Sequence, residues 1–538
     1  MIGKRDLLFF GLLLAGAGAL AFHLVPPRRA PGPVSYDPSP YHASDFRTGV
    51  TKLNEAVNGT IRAESLKVAQ PADDLTIARR LASALAGTVP SLEEIRRFEQ
   101  LPPGERLPWY LDTLLDDPRH ADYFAERWAR LTVGTEDGPF VLFRRRRYVA
   151  WLSDQFQKNR PYDALVRELL TADGLWTDHP ATNFVTVTLQ QGDGKNNQPD
   201  PVRLAGRTTR AFLGLRIDCA QCHDHPFASW KQTDFEGLSA FFGQTHVGFS
   251  GLYDGDGDYV IEEPGTGEKT TIEPGVPFSP EFLPAGGTRR SRLAAWVTHP
   301  QNPYFAKALV NRVWALMFGR PIVAPVDNIE SGDAPPAILT LLADDFVKHG
   351  YDLRRLIRTI AASEAFARRS SVDFEVTKLH EQTGAVFPLT RMRPEQTAGA
   401  VLQAASITTQ NSRSHIVLRL IRFGRENDFL QRYADNAEDE LDVRVGTIPQ
   451  RLLMMNGKMV TDVVKAEPLN ASSRISVLTP TDKAAIDAAF LAVLTRRPSE
   501  TELNFFRERL DDKSQPRSQH LEDLFWALLN STEFSWQH

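Results

Sequence analysis

Apolar residues recur at intervals of three and four along most of this chain, and that pattern predicts a mainly α fold. Ser91 and Glu94 form a capping box ahead of Ile95 and Phe98, and the stretches Trp109 to Leu115 and Ala121 to Leu131 carry the same spacing. Val202 to Leu215 is a further helical candidate. Asn302 can cap a helix whose first residue is Pro303 and which stops at Gly319. Asp352 can cap another, with Leu353, Leu356, Ile357 and Ile360 on one stripe. Ser499 and Glu502 form a second capping box, and Leu521, Leu524, Phe525 and Leu528 mark a last amphipathic helix.

The helical pattern breaks between Gly248 and Gly287, where Gly, Pro and Asp crowd together. Tyr259-Val260-Ile261 and Thr270-Thr271-Ile272, joined through Pro264-Gly265-Thr266-Gly267, predict a small β-hairpin there. Asp254, Asp256 and Asp258 invite a calcium reading, but Tyr259 stands where the loop needs glycine and Gly265 where it needs a closing glutamate. A polar turn is expected instead.

A chain of 538 residues exceeds the size at which one core stops growing. The expected division is a helical domain over 46–247, a Gly/Pro-rich connector with the hairpin over 248–288, and a second helical domain over 289–538. Residues 26–45, rich in Pro, Arg, Ser and Tyr, read as a tether. Ahead of them, Lys4 and Arg5 precede the apolar stretch Leu7 to Val25, so residues 1–25 read as a targeting segment. Ala19-Leu20-Ala21 would suit signal peptidase, and the stretch is also long enough for an uncleaved membrane anchor. Either case places the body in the cell envelope on the periplasmic side, with the membrane as a partner in the second.

A net charge of −5 from 62 basic and 67 acidic residues, with no extended basic tract, argues against a nucleic-acid partner. The run Arg144-Arg145-Arg146-Arg147 reads as a solvated face, with pairing to the carboxylates of a bound group or to an acidic partner as the sharper alternative.

The chemistry concentrates in Cys219-Ala220-Gln221-Cys222-His223, which holds both cysteines of the chain. This is the C-x-x-C-H pattern of covalent haem c attachment, in which two thiols add across two vinyl groups of one porphyrin and the imidazole of His223 becomes the proximal iron ligand. A disulfide between Cys219 and Cys222, a zinc site drawing on His223 or His225, and a motif without function stay open beside it. His246 and Met455 are the candidates for the sixth ligand. Met454, Met459, His179 and Met317 follow them, although the surroundings of the clustered methionines read as core. Asp224, His225 and Trp230 are expected around the proximal ligand. No nucleophile elbow, zincin helix, phosphate loop or dinucleotide fingerprint appears, so no catalytic role is assigned.

The run from Asp218 to Phe227, with Trp230 and Ala240-Phe241-Phe242 after it, resembles the signature of the planctomycete cytochrome-type domain, a family of unknown function. Arg79-Arg80-Leu81, Gly87-Thr88-Val89-Pro90-Ser91, Trp128 and Pro161-Tyr162-Asp163 extend the resemblance upstream. The second half is similar to the companion domain usually fused to it, through Asn302-Pro303-Tyr304-Phe305, Asn311-Arg312-Val313-Trp314, Phe318-Gly319-Arg320, Gly350-Tyr351-Asp352-Leu353 and Leu528-Leu529-Asn530-Ser531 with Glu533-Phe534. Met454-Met455 depart from the leucine-like residues expected before Asn456. The resemblance implies a two-domain exported protein with one haem c and no established reaction. The expectation is therefore a membrane-tethered monohaem c-type protein that exchanges single electrons with an envelope redox partner. The alternative is a non-haem interaction or structural protein with a disulfide or another metal at Cys219 and Cys222.

Overall fold

Several helices fall where the apolar stripes put them, and Ser91, Asp352 and Ser499 cap theirs as expected. The computed structural model describes residues 36–537 apart from 136–144, 190–197, 227, 263–266, 331–334, 412–446, 466, 468–469 and 513. The targeting segment 1–25 and the connecting turn Pro264-Gly265-Thr266 lie outside the described residues. The fold is mainly α, with three two-stranded antiparallel sheets among the described residues.

Ser91 Oγ accepts from the amide of Glu94 at 3.1 Å and Glu94 Oε2 accepts from that of Ser91 at 2.8 Å, which closes the first capping box. Ser499 and Glu502 repeat it, and Asp352 Oδ1 accepts from Arg355 N at 3.1 Å. The helix expected from Pro303 begins two residues later and spans Phe305–Phe318. Tyr304 takes the cap position instead, while Asn302 Oδ1 accepts from both Tyr304 N and Phe305 N and organises the turn that holds Pro303. Gly319 ends this helix at φ 74°, with Thr390 so near that a Cβ would sit 2.2 Å from its Oγ1. The candidate over Val202 to Leu215 forms as an α-helix over Pro201–Thr208 that widens into a π turn over Thr209–Leu213.

The tether is shorter than the composition suggested. Helices Ser39–His42 and Ser44–Ala63 start inside it, because Phe46, Leu53, Val57 and Ile61 form a buried stripe that docks the segment on the body. Tyr41 reinforces the contact by donating its hydroxyl to Asp112 at 3.1 Å.

The expected hairpin pairs Tyr259–Glu262 with Lys269–Ile272, Tyr259 opposite Ile272. A second hairpin, Thr245–Gly248 with Gly251–Asp254, was not legible, since its strands are four residues long and glycine-bounded. It is anchored by buried Leu252, whose amide and carbonyl both pair with Gly174. Asp254 does the work of an ion-pair partner: Arg290 Nε donates to it at 2.7 Å, and Asp258 lies 3.7 Å from Arg289.

Two apolar cores form, and each draws on residues from both sides of the 248–288 segment. In the first, Trp128, Phe156 and Tyr162 meet Phe305, Phe318 and Phe346, with Tyr162 and Phe305 stacked at 5.5 Å. In the second, Val401, Met459, Ile486, Phe490 and Phe525 enclose Val89, Leu92 and Ile95 from the N-terminal half. Buried arginines stitch the halves together. Arg79 donates to the Val493 and Phe534 carbonyls, and Arg80 to those of Phe366 and Arg368, both at 2.7 Å. Arg312 reaches the other way, to the carbonyls of Arg210 and Ala211. Most of these acceptors sit in or just after the last turn of a helix, where carbonyls lack intrahelical partners and the negative end of the dipole favours a cation.

Candidate functional site

Asp218–Gln221 is a 3₁₀ turn. Cys219 lies within this turn and Cys222 at its C-terminal end. Both thiols are free and exposed, and their sulfurs are not bonded to each other. Ala220 between them is fully buried, and its amide is held by the Ile217 carbonyl at 2.9 Å. The turn is thus pinned by its small inward residue while its thiols face water. Asp218 Oδ2 accepts from Arg210 Nη2 at 2.8 Å, and Arg216 Nε donates to Asp327 at 2.8 Å, which ties the loop to the second half of the chain. Gly206 admits this arrangement, since a Cβ there would fall 2.7 Å from Asp218 Oδ1.

His223 is exposed, and its Nδ1 lies 2.7 Å from the Asp224 carbonyl oxygen. A carbonyl only accepts, so Nδ1 carries the proton and the free pair sits on Nε2, the tautomer a metal ligand needs. Asp224 therefore orients the imidazole through its backbone, while its carboxylate accepts from Gln232 N at 2.9 Å and fixes the start of the next helix, Gln232–Ala240. His225 N donates to the Trp230 carbonyl at 2.8 Å and closes the loop. The Trp230 ring is buried, 6.3 Å from that of Phe278, so it belongs to the floor beneath the loop.

The sixth-ligand candidates sit on other elements. His246 is on the strand Thr245–Gly248 with its ring 5.8 Å from Tyr253. Met455 is on the helix Ile448–Asn456 of the second core, where its carbonyl accepts from Trp526 Nε1. Met454 and Met459 are buried in that core and Met317 in the first, as packing predicts.

Two expectations are corrected. Among the described residues no group of three or more His, Cys, Asp or Glu side chains converges to hold a metal ion, so the metal-binding expectation has no such cluster behind it. No helix among the described residues is long and apolar enough to cross a membrane. The longest, Ser44–Ala63, interrupts its apolar stripe with Asp45, Arg47, Lys52, Glu55 and Arg62, the mark of a helix half-facing water.

Arg145, from the basic run, is committed to Glu126 at 2.8 Å and to the Gly134 carbonyl at 3.1 Å; Arg144 lies outside the described residues. The cations that sequence reasoning passed over are Arg203 and Arg207, on the helix leading into the loop. Arg207 Nη1 is buried without a hydrogen-bond partner, and burial, with Arg203 next in effect, pushes its pKa down to about 10. The spacing of Arg203, Arg207 and Arg210 was the available signal.

Residues 52–247 match the family model PSCyt2 and residues 289–510 match PSD1, each described as a protein of unknown function. No curated protein and no solved structure matches the chain.

Proposed function

Because the chain belongs to the PSCyt2 family in its first half and the PSD1 family in its second, both without an assigned reaction, we propose that it is an exported redox module whose Cys219–His223 loop is the attachment point for one haem c. The observation that carries this reading is two unbonded, exposed thiols, one in a single turn and one at its end, next to the exposed imidazole of His223. A bound haem would supply four nitrogen ligands and a one-electron couple, so the absence of a side-chain metal cluster does not bear on it. Cys219 and Cys222 would hold the macrocycle and His223 the iron.

The remaining roles belong to the chain itself. Buried Ala220 and the Asp218–Arg210 pair hold the turn, and the Asp224 carbonyl fixes the imidazole tautomer. Arg203, exposed on the helix that leads into the loop, would favour an acidic redox partner of the envelope.

Expression in a host that matures c-type cytochromes tests the reading. Haem should stay with the polypeptide on a denaturing gel and give a reduced α band, and both signals should vanish in Cys219→Ala/Cys222→Ala. A wild-type chain without covalent haem would leave the non-haem interaction protein as the better account.

A further inference from the structure

We infer that Asp327, in the PSD1 segment, is the residue that positions the Cys219–His223 loop, so that the companion half governs the geometry of the proposed redox site. What the loop carries rests on the redox reading; how the loop is held does not.

The stretch from Arg210 to Ile217 leads into the turn, and the PSD1 segment grips it at successive points. Buried Arg312 donates to the Arg210 carbonyl at 2.7 Å and to that of Ala211 at 2.8 Å, both within the π turn Thr209–Leu213. Ile329 N donates to the Gly214 carbonyl at 2.8 Å. Gly214 turns the chain there at φ 61°, so near the second half that a Cβ would lie 3.3 Å from that of Ala308. These backbone ties fix where the chain passes.

Asp327 fixes the side chains that brace the turn itself. It is buried, and its Oδ2 faces two guanidinium groups, Arg216 Nε at 2.8 Å and Arg210 Nε at 3.8 Å. Arg210 Nη2 in turn donates to Asp218 Oδ2 at 2.8 Å. The charges therefore run Asp327, Arg210, Asp218 and end at the residue before Cys219. A buried carboxylate needs its cations, whereas Arg210 and Arg216 reach water and can be hydrated without it. Removing the Asp327 charge would thus release both arginines, and Asp218 with them. Beyond His223 the loop is closed by its own segment, through Asp224 with Gln232 and His225 with Trp230. One half holds the entry and the other the exit.

Hydrogen exchange read by mass spectrometry on the full haem-free chain tests this. Asp327→Asn keeps the shape and removes the charge, so amides from Asp218 to Cys222 should exchange about tenfold faster, while those of Phe305–Phe318 and Gln232–Ala240 keep their wild-type rates. Asp327→Glu should restore protection, and Arg216→Gln, at a partly exposed position, should reproduce the loss. In the haem-loaded chain the reduction midpoint should move in Asp327→Asn and return in Asp327→Glu. Unchanged loop exchange in both Asp327→Asn and Arg216→Gln, an equal rise across the whole chain, or a midpoint that stays fixed would overturn the inference. A wild type without covalent haem would instead end the redox reading, and the exchange rates alone would decide this one.

Discussion

The Arg79–Arg80 pair and the Cys219–His223 loop both carry the family resemblance, yet the fold treats them in opposite ways. The arginines are almost fully buried, and each is tied to backbone carbonyls nearly 300 or more than 400 positions away. The cysteines and His223 are exposed, and among the described residues their side chains make one hydrogen bond, from His223 to its neighbour's carbonyl. Burial with saturated donors marks a residue that holds the structure, whereas an exposed and chemically competent group that the fold does not use is free for chemistry with something outside the chain.

The largest expected effect lies on the buried side. Arg80→Met keeps much of the volume but leaves the Phe366 and Arg368 carbonyls without their donor, and should lower stability by on the order of 3 kcal/mol in urea unfolding. A loss below about 0.5 kcal/mol would erase the contrast, since that is the size expected at the surface.

The seam also has a pH signature. Burial tends to raise the pKa of Glu395, but Arg127, then Arg130 and Arg393, outweigh it and hold the carboxyl at about 2, below its ordinary 4.5. An acid with a depressed folded pKa contributes stability that is complete above the unfolded value and is lost as pH falls toward the folded one. The chain should therefore lose roughly 3 kcal/mol from this group between about pH 4.5 and 2, and Glu395→Gln should flatten that part of the profile. An unchanged acid limb in the variant would show that the Arg127 pair does not couple the halves.

Local caps come next. Ser91→Ala removes one half of a capping box at the entry to the second core and should cost about 1 kcal/mol, measured as a shift in the urea midpoint at constant slope. Smallest of all, Cys219→Ser and Cys222→Ser should change the stability of the haem-free chain by no more than about 0.5 kcal/mol, because their side chains face water. A large loss there would mean that the loop is structural after all.

These magnitudes parallel what could be read in advance. The boxes at Ser91 and Ser499, the cap at Asp352 and the hairpin from Tyr259 to Ile272 depend on residues a few positions apart, and the sequence exposes such relations directly. Asn302 marks the entry to its helix but not the cap, because the turn that it organises contains Pro303 and leaves Tyr304 at the cap position. The interleaved cores and the arginine clamps depend on partners hundreds of positions away, and no periodicity reports them. The loop divides along the same line: its motif stands in five residues, whereas the burial of Trp230 and the separate placement of His246 and Met455 required the fold.

The central claim is that the exposed Cys219–His223 loop carries covalent haem, and intact-mass spectrometry of the chain purified from a cytochrome c-maturing host measures it most directly. The account predicts an added mass of one haem that persists under denaturation and disappears in the Cys219→Ala/Cys222→Ala variant. A polypeptide of unmodified mass, or one carrying only a bond between the two sulfurs, would contradict it.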